Sequence, residues 1–301
     1  MQVMRIGVID VGSNTTRLLV ASAGSDGLVP LEKQKVRLSL GEEIERFGAV
    51  SAVHRAAAVK AVRELASTAR RSQVASLDVF LTAPGRQASN AAELVAVLSR
   101  AAGVQARVLT KEEEGTLAYR GAVLTAGVEL PTRVAVCDIG GASTEIAVGR
   151  PGFEPDWIES VDLGSVRLTT RAGDMHSEAK GAFAHLAPPR VEAALAVGGS
   201  ARAARRLVGS SLGTEKLAEA LRVVETTPPR EVARCFGVDR ARADILPAGV
   251  ILLAEVQRKL GVPLHVCDGG IREGAVLASL DALSAQQATS AAGSRARRSR
   301  H

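Results

Sequence analysis

Cysteine is scarce and unpatterned in this chain: Cys137, Cys235 and Cys267 are odd in number, far apart and without a C-x-x-C pair. That excludes a disulfide scaffold and a zinc site, and it points to a reducing cytoplasm. Aromatic residues make up 2% of 301 positions, so stacking platforms for single-stranded nucleic acid are missing. No apolar run approaches the roughly 18–20 residues of a membrane span. The first ten residues, MQVMRIGVID, have no basic segment leading into a signal-type apolar stretch. His54, His176, His185 and His265 show no metal-ligand spacing. Neither a G-x-S-x-G elbow nor a G-x-x-x-x-G-K-[ST] loop occurs.

What is present is a soluble globular balance, 46% hydrophobic and 23% charged. The length suits one large domain or two ordinary ones. The net charge of +6 falls to +2 without Arg295, Arg297, Arg298 and Arg300 in the last eleven residues. Basicity therefore reads as a property of the tail, and neither nucleic acid nor membrane is expected as a partner.

Strands are expected at 3–9, 18–22, 28–38 and 77–81, and helices over 51–72, with Ser51 as N-cap, and 87–102. Thr110, Lys111, Glu112 and Glu113 form the T-x-x-E box that opens a helix to about 125. A second series then begins. RVAVCDIG at 133–140 repeats the logic of MRIGVIDVG at 4–12, an apolar run into Asp, an apolar residue and Gly, with small hydroxyl residues following. The repeat predicts two similar domains, each starting with a strand–turn–strand unit: 1–125 and 126–284. Strands near 158–162, 194–197 and 264–267, helices through 201–260 and a last helix to about 284 follow. That helix is expected to pack back on the first domain, and 285–301 reads as a basic disordered tail.

Residues 10–17 read DVGSNTTR and 138–145 read DIGGASTE. Glycine lets backbone approach a ligand, and successive N–H groups in a tight turn cradle phosphate oxygens. Either loop alone is also an ordinary β-turn. Matched aspartates favour two facing loops that clamp a phosphate chain around a metal. Glu112 to Glu114 suit a helix start, where acids need no other reason. Arg86 lies beside a Pro84–Gly85 turn and is a candidate phosphate contact, with a solvent-exposed arginine as the alternative. Gly198–Gly199–Ser200 and the stretch from Asp268 to Gly274 are glycine turns between strand and helix.

These motifs, in this order, resemble the Ppx/GppA phosphatase family. The resemblance spans about 4–284 and includes DVGSNTTRL at 10–18, Thr82 to Asn90, TKEEEG at 110–115, DIGGASTE at 138–145 and SVDLGSVRLT at 160–169. It continues through Gly198–Ser200, ADILPAG at 243–249 and IREG at 271–274. It implies a two-domain α/β fold of the actin/Hsp70/sugar-kinase type, ribonuclease H-like, with a cleft between the domains. It also implies phosphoanhydride hydrolysis, of inorganic polyphosphate or alternatively of the 5′-terminal phosphate of guanosine pentaphosphate. A non-catalytic sensor and an ATP-dependent kinase are the rival classes.

The resemblance implies Glu114 as general base, overriding a capping-only role, with Glu145 as a second catalytic acid. Asp10, Asp138 and Glu145 would hold Mg²⁺, or Mn²⁺. Gly12, Ser13, Asn14, Thr15 and Arg86, with Gly140, Gly141, Ala142 and Ser143, would bind phosphates. A homodimer is expected. Ala142 stands where the family has a third glycine, Pro84–Gly85 where it has Ala and an apolar residue, and Gln87 where it has an acid. The sequence ends after the two-domain core, like the family's short forms.

Overall fold

The structure, a computed structural model, describes residues 4–24 and 27–298. Residues 5–11 (RIGVIDV) are buried almost throughout, as a strand inside a sheet must be. The chain runs β1 (Arg5–Val11), β2 (Thr15–Gly24), β3 (Gly27–Arg37), α1 (Leu40–Phe47), α2 (Ala52–Arg71), β4 (Ser76–Leu81), α3 (Ala83–Gln87), α4 (Ala91–Ala102), β5 (Ala106–Val108) and α5 (Lys111–Leu124). The second series is β6 (Val134–Ile139), β7 (Thr144–Gly149), β8 (Trp157–Val161), α6 (Ser165–Thr170), α7 (Met175–Ala182), β9 (Ala193–Val197), α8 (Gly198–Val208), β10 (Ser211–Leu212), α9 (Thr214–Thr226), α10 (Pro229–Phe236), α11 (Arg240–Ala243), α12 (Leu246–Leu260), β11 (Leu264–Val266) and α13 (Ile271–Arg298).

The internal repeat is real at the level of topology. One sheet has the order β3-β2-β1-β4-β5, the other β8-β7-β6-β9-β11 with β10 added at the edge. In each, two antiparallel pairings are followed by parallel ones. Both hairpins therefore end their central strand at the same place, where the two aspartates stand. The expected caps are present: the Ser51 hydroxyl accepts from the His54 amide, and Thr110 and Glu113 close the reciprocal capping box.

Helices cross the boundary expected at 125. The α5 helix packs on the second sheet, with Tyr119 and Ala122 against Val134, Val136, Ala147, Leu195 and Val197. The α13 helix returns to the first sheet, where Ile271, Ala275 and Val276 meet Ile6, Val8, Leu19, Ala21 and Phe80. Between them the two helices touch backbone to backbone. A Cβ on Gly121 would collide with the Gly270 carbonyl, and one on Gly274 with the Leu117 carbonyl. Two further cores lie on the outer faces of the sheets.

Two expectations are corrected. The last helix does not stop near 284 but continues to Arg298, so 285–298 is helical backbone and not a structureless tail. Its Ala, Gln and Arg residues are strong helix formers, and extending an existing helix avoids a new nucleus. The end of the expected tail, 299–301, lies outside the described residues. Residues 83–87, expected as a Pro-Gly turn, form the short helix α3, with Pro84 in the first helical turn where its missing N–H costs nothing.

Candidate active site

A cleft with about 770 Å³ of open space lies between the two sheets. Asp10, Gly12, Ser13, Asn14 and Thr15 line it from the first hairpin. Asp138, Gly140, Gly141, Ala142 and Ser143 line it from the second, and Glu114 from the start of α5. The loops nearly touch: a Cβ on Gly141 would sit 2.9 Å from that of Ser13. In each loop the glycine amide closes the turn, Gly12 on the Thr15 carbonyl at 3.1 Å and Gly140 on the Ser143 carbonyl at 3.0 Å. Among the described residues the N–H groups of Ser13, Asn14, Gly141, Ala142 and Ser143 have no backbone carbonyl as acceptor. Unpaired amides in tight turns are an anion-binding arrangement.

Behind this surface the acids are crowded. Glu145, 2% exposed, pairs with Asp138 across the hairpin and accepts from the Ser160 hydroxyl at 2.9 Å. Burial first, then the Asp138 charge, pushes its carboxyl up to about 7, against the Ser143 and Ser160 hydroxyls. Burial likewise pushes Asp10 up to about 6, although Arg272 and Arg17 pull it down. Asp138 is raised by burial, opposed by Arg202, Arg17 and Arg272. Glu114 is raised well above the ordinary carboxylate range by burial and by Glu145, with Arg86 opposing.

Arg86 is not on the cleft surface. It reaches Glu114 Oε2 at 2.7 Å and the Leu109 carbonyl at 2.9 Å, while its Nε and Nη2 are buried without a partner. In this structure Arg86, expected as a phosphate contact, is paired with Glu114. Glu145 is likewise set behind the cleft wall, paired with Asp138 and close enough to Glu114 to raise its carboxyl.

The sequence reading missed the cleft's arginines. Arg17, Arg202, Arg242 and Arg272 line it, with Asp268 and Glu273. Arg17 and Arg242 are pushed down to about 10, first by burial and next by a neighbouring arginine, Arg272 and Arg202 respectively. They remain charged at neutral pH. Arg272 and Glu273 sat inside the quoted IREG string and Arg17 inside the first loop motif. For Arg202 and Arg242 no local signal existed, since only the packing of α8 on β6, and of α11 on α8, brings them in.

No three His, Cys, Asp or Glu side chains among the described residues form a ready-made metal cage. Mg²⁺ does not require one, because it keeps waters and takes one or two carboxylates together with substrate phosphates. The residues present fit that use: Asp10 Oδ1 is buried without any hydrogen-bond partner, and Asp138 faces the same space. No helix of the described residues is long and apolar enough to cross a membrane.

Two mirrored glycine-turn hairpins around buried carboxylates, one at the centre of each sheet, define a protein of the two-domain actin-like α/β class. The profile of the Ppx/GppA phosphatase family matches residues 19–187, and the chain belongs to that family. It is 28% identical over 307 residues to exopolyphosphatase 1 of Mycobacterium tuberculosis, covering 92% of this chain and 89% of that one. It is 32% identical over 169 residues to a guanosine-5'-triphosphate,3'-diphosphate pyrophosphatase of Pseudoalteromonas translucida, covering 54% of this chain and 32% of that one. Among solved structures, the Ppx/GppA enzyme of Aquifex aeolicus matches with TM-score 0.78 at 22% identity, covering 92% and 99% of the two chains. An exopolyphosphatase of Cytophaga hutchinsonii matches with TM-score 0.81 at 20% identity, covering 93% and 98%.

Proposed function

We propose that the cleft hydrolyses the terminal phosphoanhydride bond of inorganic polyphosphate, releasing orthophosphate in a reaction assisted by Mg²⁺ or Mn²⁺. The observation that carries a long anionic substrate is the run of cations leaving the cleft. Arg17, Arg202 and Arg242 line both the cleft and an adjoining groove, and Lys35, Arg37, Arg205 and Arg206 continue that groove outward. Arg17, Arg202 and Arg242 have no salt-bridge partner among the described residues; burial lowers the proton affinity of each, Arg272 lowers Arg17 and Arg202 further, and Arg202 lowers Arg17 and Arg242. Crowded, desolvated cations of this kind are costly until an anion joins them. Among the described residues no aromatic ring lines either space, so a guanine base finds no aromatic stacking surface among them.

In this reading Glu114 takes a proton from water while Arg86 holds its Oε2. The water oxygen bonds to the terminal phosphorus, the P–O bond to the next phosphate breaks, and orthophosphate and a chain one unit shorter result. The loop amides and cleft arginines bind and orient the phosphates. Asp10 and Asp138, with Glu145 behind them, would hold the divalent ion, which when bound neutralises phosphate charge. Free thiols at Cys137, Cys235 and Cys267 suit the cytoplasm.

Guanosine pentaphosphate is the second reading, favoured by the likeness to the pyrophosphatase of P. translucida. The test is phosphate release from polyphosphates of defined length, guanosine pentaphosphate and ATP, each with and without Mg²⁺. Turnover of the polyphosphates far above the other two is expected. Preference for the nucleotide would transfer the assignment to the second reading.

A further inference from the structure

We propose that Glu45 and Arg167 are positioning residues whose ion pair sets the distance between the two phosphate loops, and so tunes the site for ligands that span both. The proposal rests on the reading of the cleft as a polyphosphate site, and it concerns residues outside the cleft surface.

Each loop is held from behind in the same way. In the first, the Gly41 amide at the start of α1 donates to the Ser13 carbonyl at 2.7 Å. The amides of Leu38 and Ser39 donate to the Asn14 carbonyl at 3.0 and 3.1 Å. In the second, the Ser165 amide at the start of α6 donates to the Gly140 carbonyl at 3.0 Å. Those of Val166 and Arg167 donate to the Gly141 carbonyl at 2.8 and 3.0 Å. With the loop carbonyls engaged on the α1 and α6 side, the loop amides remain for the cleft. The helices α1 and α6 therefore act as two struts, one per loop.

The struts are joined to each other. Arg167 Nε donates to Glu45 Oε2 at 2.7 Å, and Arg171 Nε to Glu45 Oε1 at 2.9 Å. Arg167 and Glu45 are both largely shielded from solvent, at 10% and 17% side-chain exposure, so their pairing is weakly screened. The Arg167 fork also donates through Nη2 to Gln87 Oε1 at 2.7 Å and through Nη1 to the Asp162 carbonyl at 2.9 Å. Gln87 follows Arg86, whose guanidinium grips Glu114. One arginine thus ties both loop struts and the segment that carries the base's partner. A surface ion pair kept only for stability would not need to join the two elements that hold the loops.

The test compares a ligand long enough to touch both loops with one that is not. Tripolyphosphate and orthophosphate are titrated calorimetrically, with Mg²⁺, into the wild-type chain and into Glu45→Ala and Arg167→Lys variants. Melting temperature is recorded alongside. Tripolyphosphate affinity is expected to fall roughly tenfold in Glu45→Ala, the scale of coupling within one ion-pair network. Orthophosphate affinity is expected to change less than about twofold, and Arg167→Lys, which keeps the charge, to fall between wild type and Glu45→Ala. Equal weakening of both ligands, or of neither, overturns the proposal. Should Glu45→Ala not fold, Arg171→Ala removes the clasp's exposed arm and carries the same comparison. Binding is read without turnover. Tight tripolyphosphate binding without hydrolysis would remove the proposed activity and leave the clasp standing.

Discussion

The two hairpins differ at one telling position. Opposite Asp10 across the first stands Arg17, and opposite Asp138 across the second stands Glu145. The strand order, the turn and the aspartate are shared, yet one half adds a cation and the other an anion. A symmetrical frame is thereby given a direction. The first hairpin opens toward the arginine groove, and the second gathers carboxylates; under the proposed function the groove would receive the polyanion and the carboxylates would handle water and a divalent ion. Binding and chemistry are expected to separate along this divide.

The largest effect is expected at Glu114, the proposed base between the halves. Glu114→Gln is expected to lower kcat by roughly 10²–10⁴-fold while tripolyphosphate affinity stays close to wild type. Lost binding at an unchanged rate per bound substrate would remove Glu114 from that role. Glu145→Gln should come next, with kcat down on the order of 10²-fold and KM little moved. Arg17→Ala should do the converse, raising KM for polyphosphate by about tenfold with a small change in kcat. If both variants damaged the same kinetic constant, the division of labour between the hairpins would fall.

A comparable effect is expected from pH. Asp10 and Glu145 sit at about 6 and about 7, above their ordinary values. Between pH 4 and those values the native protein holds protons that the unfolded chain has released. Stability of the chelator-treated protein therefore falls as pH rises through this window, by up to about 1.4 kcal/mol per pH unit for each group. Thermal unfolding from pH 4.5 to 8 checks the sign, and Asp10→Asn should flatten the slope. A melting temperature that climbed with pH, and did so equally in the variant, would contradict the acid crowding. The smallest effect is expected at the outer end of the groove. Arg37→Ala should raise KM for long chains by about two- to threefold, an effect that fades with added salt. An equal change for tripolyphosphate would mean that the groove does not extend so far.

Much of this was legible because it is local. Asp10 and Asp138 each end an apolar run before a glycine turn, and Thr110 to Glu113 fit a capping pattern, so hairpins, repeat and helix start follow from neighbouring residues. The missed features are those that distant chain segments make together. Arg202 and Arg242 are unremarkable in their own helices. A net charge that shrinks to +2 without four tail arginines conceals a cleft lined by four others. The Arg86 motif was found, but its partner was not, because the 2.7 Å contact to Glu114 joins residues 28 positions apart. The run to Arg298 was misjudged because its polar composition suggested solvation, whereas helix propensity and a preceding packed segment favoured continuation.

The exchange of α5 and α13 between the sheets makes the two lobes mutually dependent. Cut at the 126–132 connection, the leading fragment would keep α5 without the sheet it covers and would bare Ile6, Val8 and Phe80. The trailing fragment would bare Val134, Val136 and Leu195. Each piece would carry the other's missing lid, so separate expression should give aggregates and joint expression a reconstituted particle.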